Sequence, residues 1–454
     1  MRKIKTVSSK DQITEGLEEL DVKRGIYLSG RTTDGNLESN FGLYYGSKRN
    51  KLTYLIVALI FSINLFITLP ILLLDLSPFY HSSILELVAN FLSIRGILGK
   101  SAFYLLLTLI SFNFTPIAFY FFVRNNVLNQ ELPAFLATLL FILPNPLFGN
   151  HIPLIFALFS GDGAHLLAFP FILFFLMYMQ QYLISGVKTY WLFTALGGAF
   201  IAIISPFAFF NFLLVYFLLG IGEGFLGGFR AKFGKVIGVL IAILSLSFFW
   251  YSPQILSQIQ LLPSVRVAFS KFYSTLPFAA PVILILGILS FMFFDRREKL
   301  QPIFLGFSLF LIYDLLYIAS KTLEIPGIFT PERYILELSF AAAFFFALMT
   351  SFLFQYFWKK YILSTHSKFV IVVYELLAAT FAGLLLLVGY FNFIKIDYPK
   401  LYLDSLITSS IKGIGNLQRS FNFQDPATIF SISVSAITLI ILLFLFFKSL
   451  HKRG

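Results

Sequence analysis

Between Leu52 and Phe447 the chain is a series of apolar runs, most of them close to the roughly twenty residues that a helix needs to cross about 30 Å of hydrocarbon. Lipid offers no water to backbone N–H and C=O groups, so such runs must close their own hydrogen bonds as helices. Candidate spans are 52–76, 101–123, 131–149, 164–185, 189–205, 207–224, 236–252, 277–294, 302–320, 335–357, 369–394 and 429–447. The expected fold is all-α and polytopic, with about twelve transmembrane helices. Only Ser205-Pro206 separates 189–205 from 207–224, and a tight turn there puts Lys188 and Arg230 on one side.

Composition supports lipid as the solvent. Hydrophobic residues make up 58% and charged residues 12%, where a soluble domain carries about 25% charged. There is no cysteine, which removes disulfides, thiolate nucleophiles, Cys-based zinc sites and iron–sulfur clusters. The net charge of +12 points to anionic lipid headgroups rather than nucleic acid as the partner.

The basic residues also order the chain across the bilayer. Arg124, Lys188, Arg230, Lys232, Lys235, Arg296, Arg297 and Lys299 crowd short connections, whereas the longer loops 77–100, 253–276 and 395–428 are sparser in them. Residues 1–51 carry ten Lys or Arg and read as a mostly disordered tail. The positive-inside rule then places both termini in the cytoplasm of a multi-pass cell-membrane protein, with a transmembrane domain at 52–447 and a short tail at 448–454. The first apolar run follows this tail and reads as an uncleaved anchor. The segment His81–Leu98 predicts an amphipathic helix in the first outer loop.

Ionisable groups near hydrocarbon are expensive and therefore candidates for function. Asp75 ends the first span, before Ser77-Pro78, as a potential general base or a helix-ending cap. Asp162 lies in Gly161-Asp162-Gly163, with His165 three residues on; the pair is a helix cap or a site that could take a divalent cation, and the metal itself is unknown. Arg333, in Pro331-Glu332-Arg333-Tyr334, is placed either to clamp a phosphate or to pair with Glu337 one turn later. Glu86 and His81 on the first loop are further substrate-binding candidates, and Asp314 and Glu375 lie within spans. No phosphate-binding loop, metalloprotease helix or nucleophile elbow occurs, so any chemistry needs a substrate already activated.

Four stretches carry a resemblance. They are Asp75 with its loop, Phe135-Leu136-Ala137-Thr138-Leu139-Leu140-Phe141-Ile142-Leu143-Pro144, Gly161-Asp162-Gly163-Ala164-His165-Leu166-Leu167-Ala168-Phe169-Pro170, and Pro331-Glu332-Arg333-Tyr334. Together they resemble the GT-C superfamily of membrane glycosyltransferases, and within it the polytopic proteins labelled as related to pyruvoyl-tetrahydropterin synthase. The likeness spans about residues 52–390. It departs at Ser205-Pro206, where related chains often have His-Pro, and in having a single Asp162 where an Asp-x-Asp is common. The resemblance implies a GT-C-like fold and transfer of a sugar from a polyprenyl-phosphate donor at the outer face. Asp75 and Asp162 would be the catalytic carboxylates, and Arg333, His165 and Glu86 the substrate-binding groups. The competing expectations are a multi-span transporter or lipid flippase working through Asp314 and Glu375, and a non-catalytic GT-C-like protein.

Overall fold

In a computed structural model of the chain, the described residues are 48–80, 82–127, 131–144, 152–225, 229–253, 301–323, 330–357, 368–394 and 425–451, with isolated positions between 257 and 273. Among them there is no strand. The α-helices are α1 (Lys48–Thr68), α2 (Ser83–Ile94), α3 (Lys100–Asn126), α4 (Glu131–Ile142), α5 (Pro153–Ala157), α6 (Gly163–Ser185), α7 (Lys188–Ile204), α8 (Pro206–Phe225), α9 (Phe229–Ser247), α10 (Gln301–Thr322), α11 (Ile335–Phe357), α12 (Lys368–Ile394) and α13 (Pro426–His451).

The span count needs correction. Seven described helical segments, not about twelve, are long and apolar enough to cross a membrane: Leu52–Ile71, Lys100–Asn126, Pro153–Ser185, Pro206–Gly224, Pro302–Thr322, Pro331–Leu353 and Pro426–Lys448. The expected span 131–149 stops as a helix at Ile142, just before Leu143-Pro144, after twelve residues. That gives about 18 Å, well short of the hydrocarbon layer. Helix α7 is held to seventeen residues because Pro206 starts a new helix. Helix α9 begins earlier than expected and carries Arg230, Lys232 and Lys235 in its opening turns. Helix α12 covers the expected span 369–394 as one 27-residue helix, Lys368–Ile394, and the side chains of its opening turns lie outside the described residues. The expected span 277–294 and the tail 1–47 lie outside the described residues.

Helix α6 stands in the middle of the bundle, packed by α3, α7 and α8, while α11 packs on α4, α5 and α10. Phenylalanine supplies the seam between these groups. Phe119 of α3 lies 4.7 Å from Phe141 of α4 and 5.6 Å from Phe340 of α11, centroid to centroid. Phe169 of α6 meets Phe340 edge-on at 5.6 Å, and Phe122 meets Phe344 at 5.2 Å. Tilted and edge-to-face pairs match the ring quadrupoles and add about 0.5–1.5 kcal/mol each beyond area burial. On the periphery, α13 leaves Ile437, Ile440 and Phe444 exposed, as a lipid-facing helix should.

A proline explains one polar contact between spans. Pro116 has no N–H, so the carbonyl of Phe112, four residues earlier, has no helical partner. Asn64 of α1 donates to that carbonyl through Nδ2 at 2.6 Å. The first loop is pinned as well. Ser82 donates through Oγ to the Ile204 carbonyl at 2.8 Å, and Phe79 packs on Phe159 at 5.2 Å. Thr108 Oγ1 donates to the Tyr104 carbonyl, so the Tyr80 hydroxyl is the donor in the 2.8 Å bond to Thr108 Oγ1. Burial pushes the Tyr80 phenol up and keeps it in that donor form.

Candidate functional site

The Gly161-Asp162-Gly163 segment lies at a kink where two helices meet. The helical path begins at Pro153 and runs 33 residues to Ser185. Proline suits this start because its missing N–H is one that a first turn leaves unbonded anyway. At Leu158–Asp162 the path is kinked by a wide turn between two helices, in which Gly161 takes φ 79°, a left-handed and non-helical value that glycine adopts without a Cβ clash. Asp162 then precedes α6 without making a side-chain capping hydrogen bond, so its carboxylate is not used as a cap. Gly163 is required by its surroundings, since a Cβ there would lie 3.0 Å from both the Phe79 carbonyl oxygen and the Tyr80 ring.

Arg333 reaches this segment from a short helical turn, Pro331–Tyr334, ahead of α11. Its Nε lies 3.7 Å from Asp162 Oδ2. Glu337 does not pair with Arg333, although the one-turn spacing suggested it. Instead its Oε1 lies against His165 Nε2, a contact that is ionic only when the imidazole is protonated, and accepts a 2.8 Å hydrogen bond from Asn211 Nδ2. Phe207, the second residue of α8, binds the group together. Its ring is 5.0 Å from the His165 ring, 5.3 Å from Tyr334 and 5.6 Å from the Arg333 guanidinium carbon. A guanidinium over an aromatic face gains about 0.5–2 kcal/mol and is held in a fixed plane. The Ser205-Pro206 break makes this possible by starting α8 there, with Ser205 Oγ accepting from the Ala208 N–H at 3.2 Å.

The cluster is deeply enclosed. Asp162 is 4% exposed, His165 0% and Glu337 1%. Several of its polar atoms make no hydrogen bond among the described residues: Asp162 Oδ2, both His165 ring nitrogens, Glu337 Oε2, the Tyr334 hydroxyl and the Ser339 hydroxyl. Each such group is destabilising by about 1–3 kcal/mol. A fold retains several together where they serve something other than stability. Beside them lies a void of about 10 Å³, room for about one water molecule, bordered by Asn211, Glu337, Tyr313 and Phe340.

The other sequence candidates are placed as follows. Asp75 is exposed, and its Oδ1 accepts from the Ser77 N–H at 3.2 Å. It stands on the loop whose Phe79 and Tyr80 pack on the Asp162 segment. Glu86 is exposed on α2 and acts electrostatically on Tyr104. In α10 it is Tyr313 that borders the cavity, while Asp314, about 100° further round the helix, is half-buried. His81 and the side chain of Glu375 lie outside the described residues. Among the described residues no group of three or more His, Asp or Glu is arranged to hold a metal ion. Glu337 as a partner of His165, Asn211 and Phe207 are the members that sequence reasoning did not find. The available signal was a lone Asn inside the apolar run after Pro206 and a lone Glu one turn into an apolar helix.

These features define a multi-pass, all-helical membrane protein with one enclosed polar centre at the head of its middle helix. No family model matches the chain, and no curated protein or solved structure is significantly similar to it.

Proposed function

We propose that the chain is a membrane glycosyltransferase, taking its sugar from a polyprenyl-phosphate donor at the outer face of the cell membrane with both termini cytoplasmic. The observation that carries this reading is the meeting of Arg333, Asp162 and His165 at one end of the bundle, from segments far apart in sequence. A guanidinium placed over the Phe207 ring beside hydrocarbon is suited to a lipid-borne phosphate as its negative charge grows. In this reading Arg333 stabilises the departing phosphate as the sugar acquires oxocarbenium character. Asp162 and Asp75 orient the acceptor hydroxyl, and His165 and Glu86 complete the substrate contacts.

The test compares lipid-linked sugars and surface glycans in a deletion strain with those in strains carrying wild type, Arg333→Met or Asp75→Asn. Arg333→Met should fail to restore the wild-type pattern, with a loss of about 10²–10³-fold in transfer by the purified protein in vesicles. Unchanged glycans on deletion would end the proposal. Full rescue by Asp75→Asn would remove Asp75 from it.

A second reading is proton-coupled transport, favoured by the His165–Glu337 ion pair lying wholly inside the spans. Proton uptake by proteoliposomes that depends on a co-substrate, and is lost in His165→Asn, would favour it over transfer.

A further inference from the structure

The transferase reading leaves one step unassigned, namely which group takes the acceptor's proton. We propose that His165 is that proton acceptor, and that Glu337 and Asn211 are positioning residues that fix its tautomer. This rests on the reading of the site as a transferase centre.

The argument starts from the two ring nitrogens. His165 Nε2 faces Glu337 Oε1, and a carboxylate can only accept, so the hydrogen of a neutral ring belongs on Nε2. The ring's lone pair then lies on Nδ1, which makes no hydrogen bond among the described residues and, unlike Nε2, is not the nitrogen set against Glu337. Glu337 is itself fixed, because Asn211 Nδ2 donates to the same Oε1 at 2.8 Å. Phe207 and Phe169 hold the imidazole edge-on at 5.0 and 5.9 Å, which limits its rotation. A base whose far nitrogen is oriented by a buried carboxylate is the arrangement by which histidine accepts a proton in acyl-transfer enzymes, here on an unrelated scaffold.

The other charged and titratable groups around the ring are Asp162 from the wide turn, Arg333 and Tyr334 from the turn before α11, and Tyr313 from α10, which acts on the pair through Glu337. Asp162 and Arg333 carry opposite charges. The Glu337 carboxylate is therefore the charge that neutralises an imidazolium once formed.

The step balances. The bond from the anomeric carbon to the phosphate oxygen breaks, and its electron pair leaves with the phosphate beside Arg333. The acceptor oxygen bonds to the anomeric carbon, and its proton passes to His165 Nδ1. The imidazolium, paired with Glu337, returns that proton to water after the product leaves.

Two measurements on the full chain in lipid nanodiscs test this. Nitrogen-15 NMR of histidine-labelled protein, with the His165 signal assigned among five histidines by its loss in His165→Asn, should show the hydrogen of the neutral ring on Nε2. In Glu337→Gln the titration midpoint of that ring should move by about one pH unit or more, corresponding to about tenfold in proton affinity. Transfer from a polyprenyl-phosphate sugar should fall about 10²–10⁴-fold in kcat for His165→Asn, with KM for the donor little changed. Glu337→Gln should shift the pH profile of kcat, and Glu337→Asp should recover part of the rate. A neutral wild-type ring with its hydrogen on Nδ1, or a titration unmoved in Glu337→Gln, overturns the inference. The tautomer is read on the unmutated protein, so poor folding of a variant does not shield the proposal. Absence of any transfer, with the tautomer as stated, overturns the underlying transferase reading instead.

Discussion

The two ends of α6 solve the problem of charge in a membrane differently. Near its start lie Asp162, His165, Arg333 and Glu337; near its finish, about 22 Å further along the helix at Gln180 and beyond, lies a second polar group. In that second group Glu131 binds Arg124 Nη2 at 2.8 Å, accepts from Thr53 Oγ1 at 2.8 Å and accepts from the Tyr120 hydroxyl. Gln180 joins Asn125 and Asn126 of α3. Lys232 donates to the Glu223 carboxylate at 2.9 Å and to the Glu223 carbonyl at 2.8 Å. The Arg124, Thr53 and Lys232 contacts are 2.8–2.9 Å and those of Gln180 3.2–3.5 Å, and all of them link different helices. At the start of α6 the Arg333–Asp162 pair is looser, at 3.7 Å, and carboxylate, imidazole and hydroxyl atoms lie buried without partners. The first arrangement fastens helices together; the second keeps hydrogen-bonding capacity in reserve, which suits groups that must change partners.

Double substitution presses hardest on this contrast. Arg333→Met should destabilise the protein by about 3–5 kcal/mol, because it leaves the Asp162 carboxylate buried beside no cation. Arg333→Met combined with Asp162→Asn should recover most of that stability, read as the thermal midpoint in mild detergent, without recovering sugar transfer. At the other end, Glu131→Gln should lower stability by about 1.5–3 kcal/mol through weakened charged hydrogen bonds, while activity per folded molecule stays within about twofold. Loss of transfer in Glu131→Gln, with folding intact, would erase the distinction between the two ends. Asn64→Leu should have the smallest effect, about 0.6–1.7 kcal/mol, since it removes one hydrogen bond between spans. Its signature would be faster hydrogen exchange in α1 and α3.

The sequence made the membrane architecture plain, because apolar run length is set by bilayer thickness and needs no tertiary information. Its count failed where a local break outweighed hydropathy. Pro144 follows closely on the end of α4, and Pro206 divides α7 from α8. The run Pro153–Phe159 lies between the expected spans 131–149 and 164–185, and it starts a short helix that meets α6 across the kink at Gly161. At the site, Asp162, His165 and Arg333 stood out as ionisable groups beside hydrocarbon, and the fold brings them together. Glu337 was visible too, as one of two alternatives for Arg333, and the structure sets it against His165 instead. Spacing along one helix favours Arg333, and only the packing of α6 against the start of α11 delivers His165 to it. Asn211 and Phe207 carry no local mark of their role, which arises where α8 crosses the other two segments.

The bond from Asn64 to the Phe112 carbonyl has a mechanical consequence. Helices in oil slide past one another easily when only methyl groups meet, but a 2.6 Å donor–acceptor contact tolerates no shift by even one residue, about 1.5 Å. The proline that leaves this carbonyl open therefore acts as a detent, locking the depth of α1 against α3. Everything that follows α1 inherits that depth, so the height at which the Asp75 loop leaves the helix is fixed from below, by two side chains that never touch it.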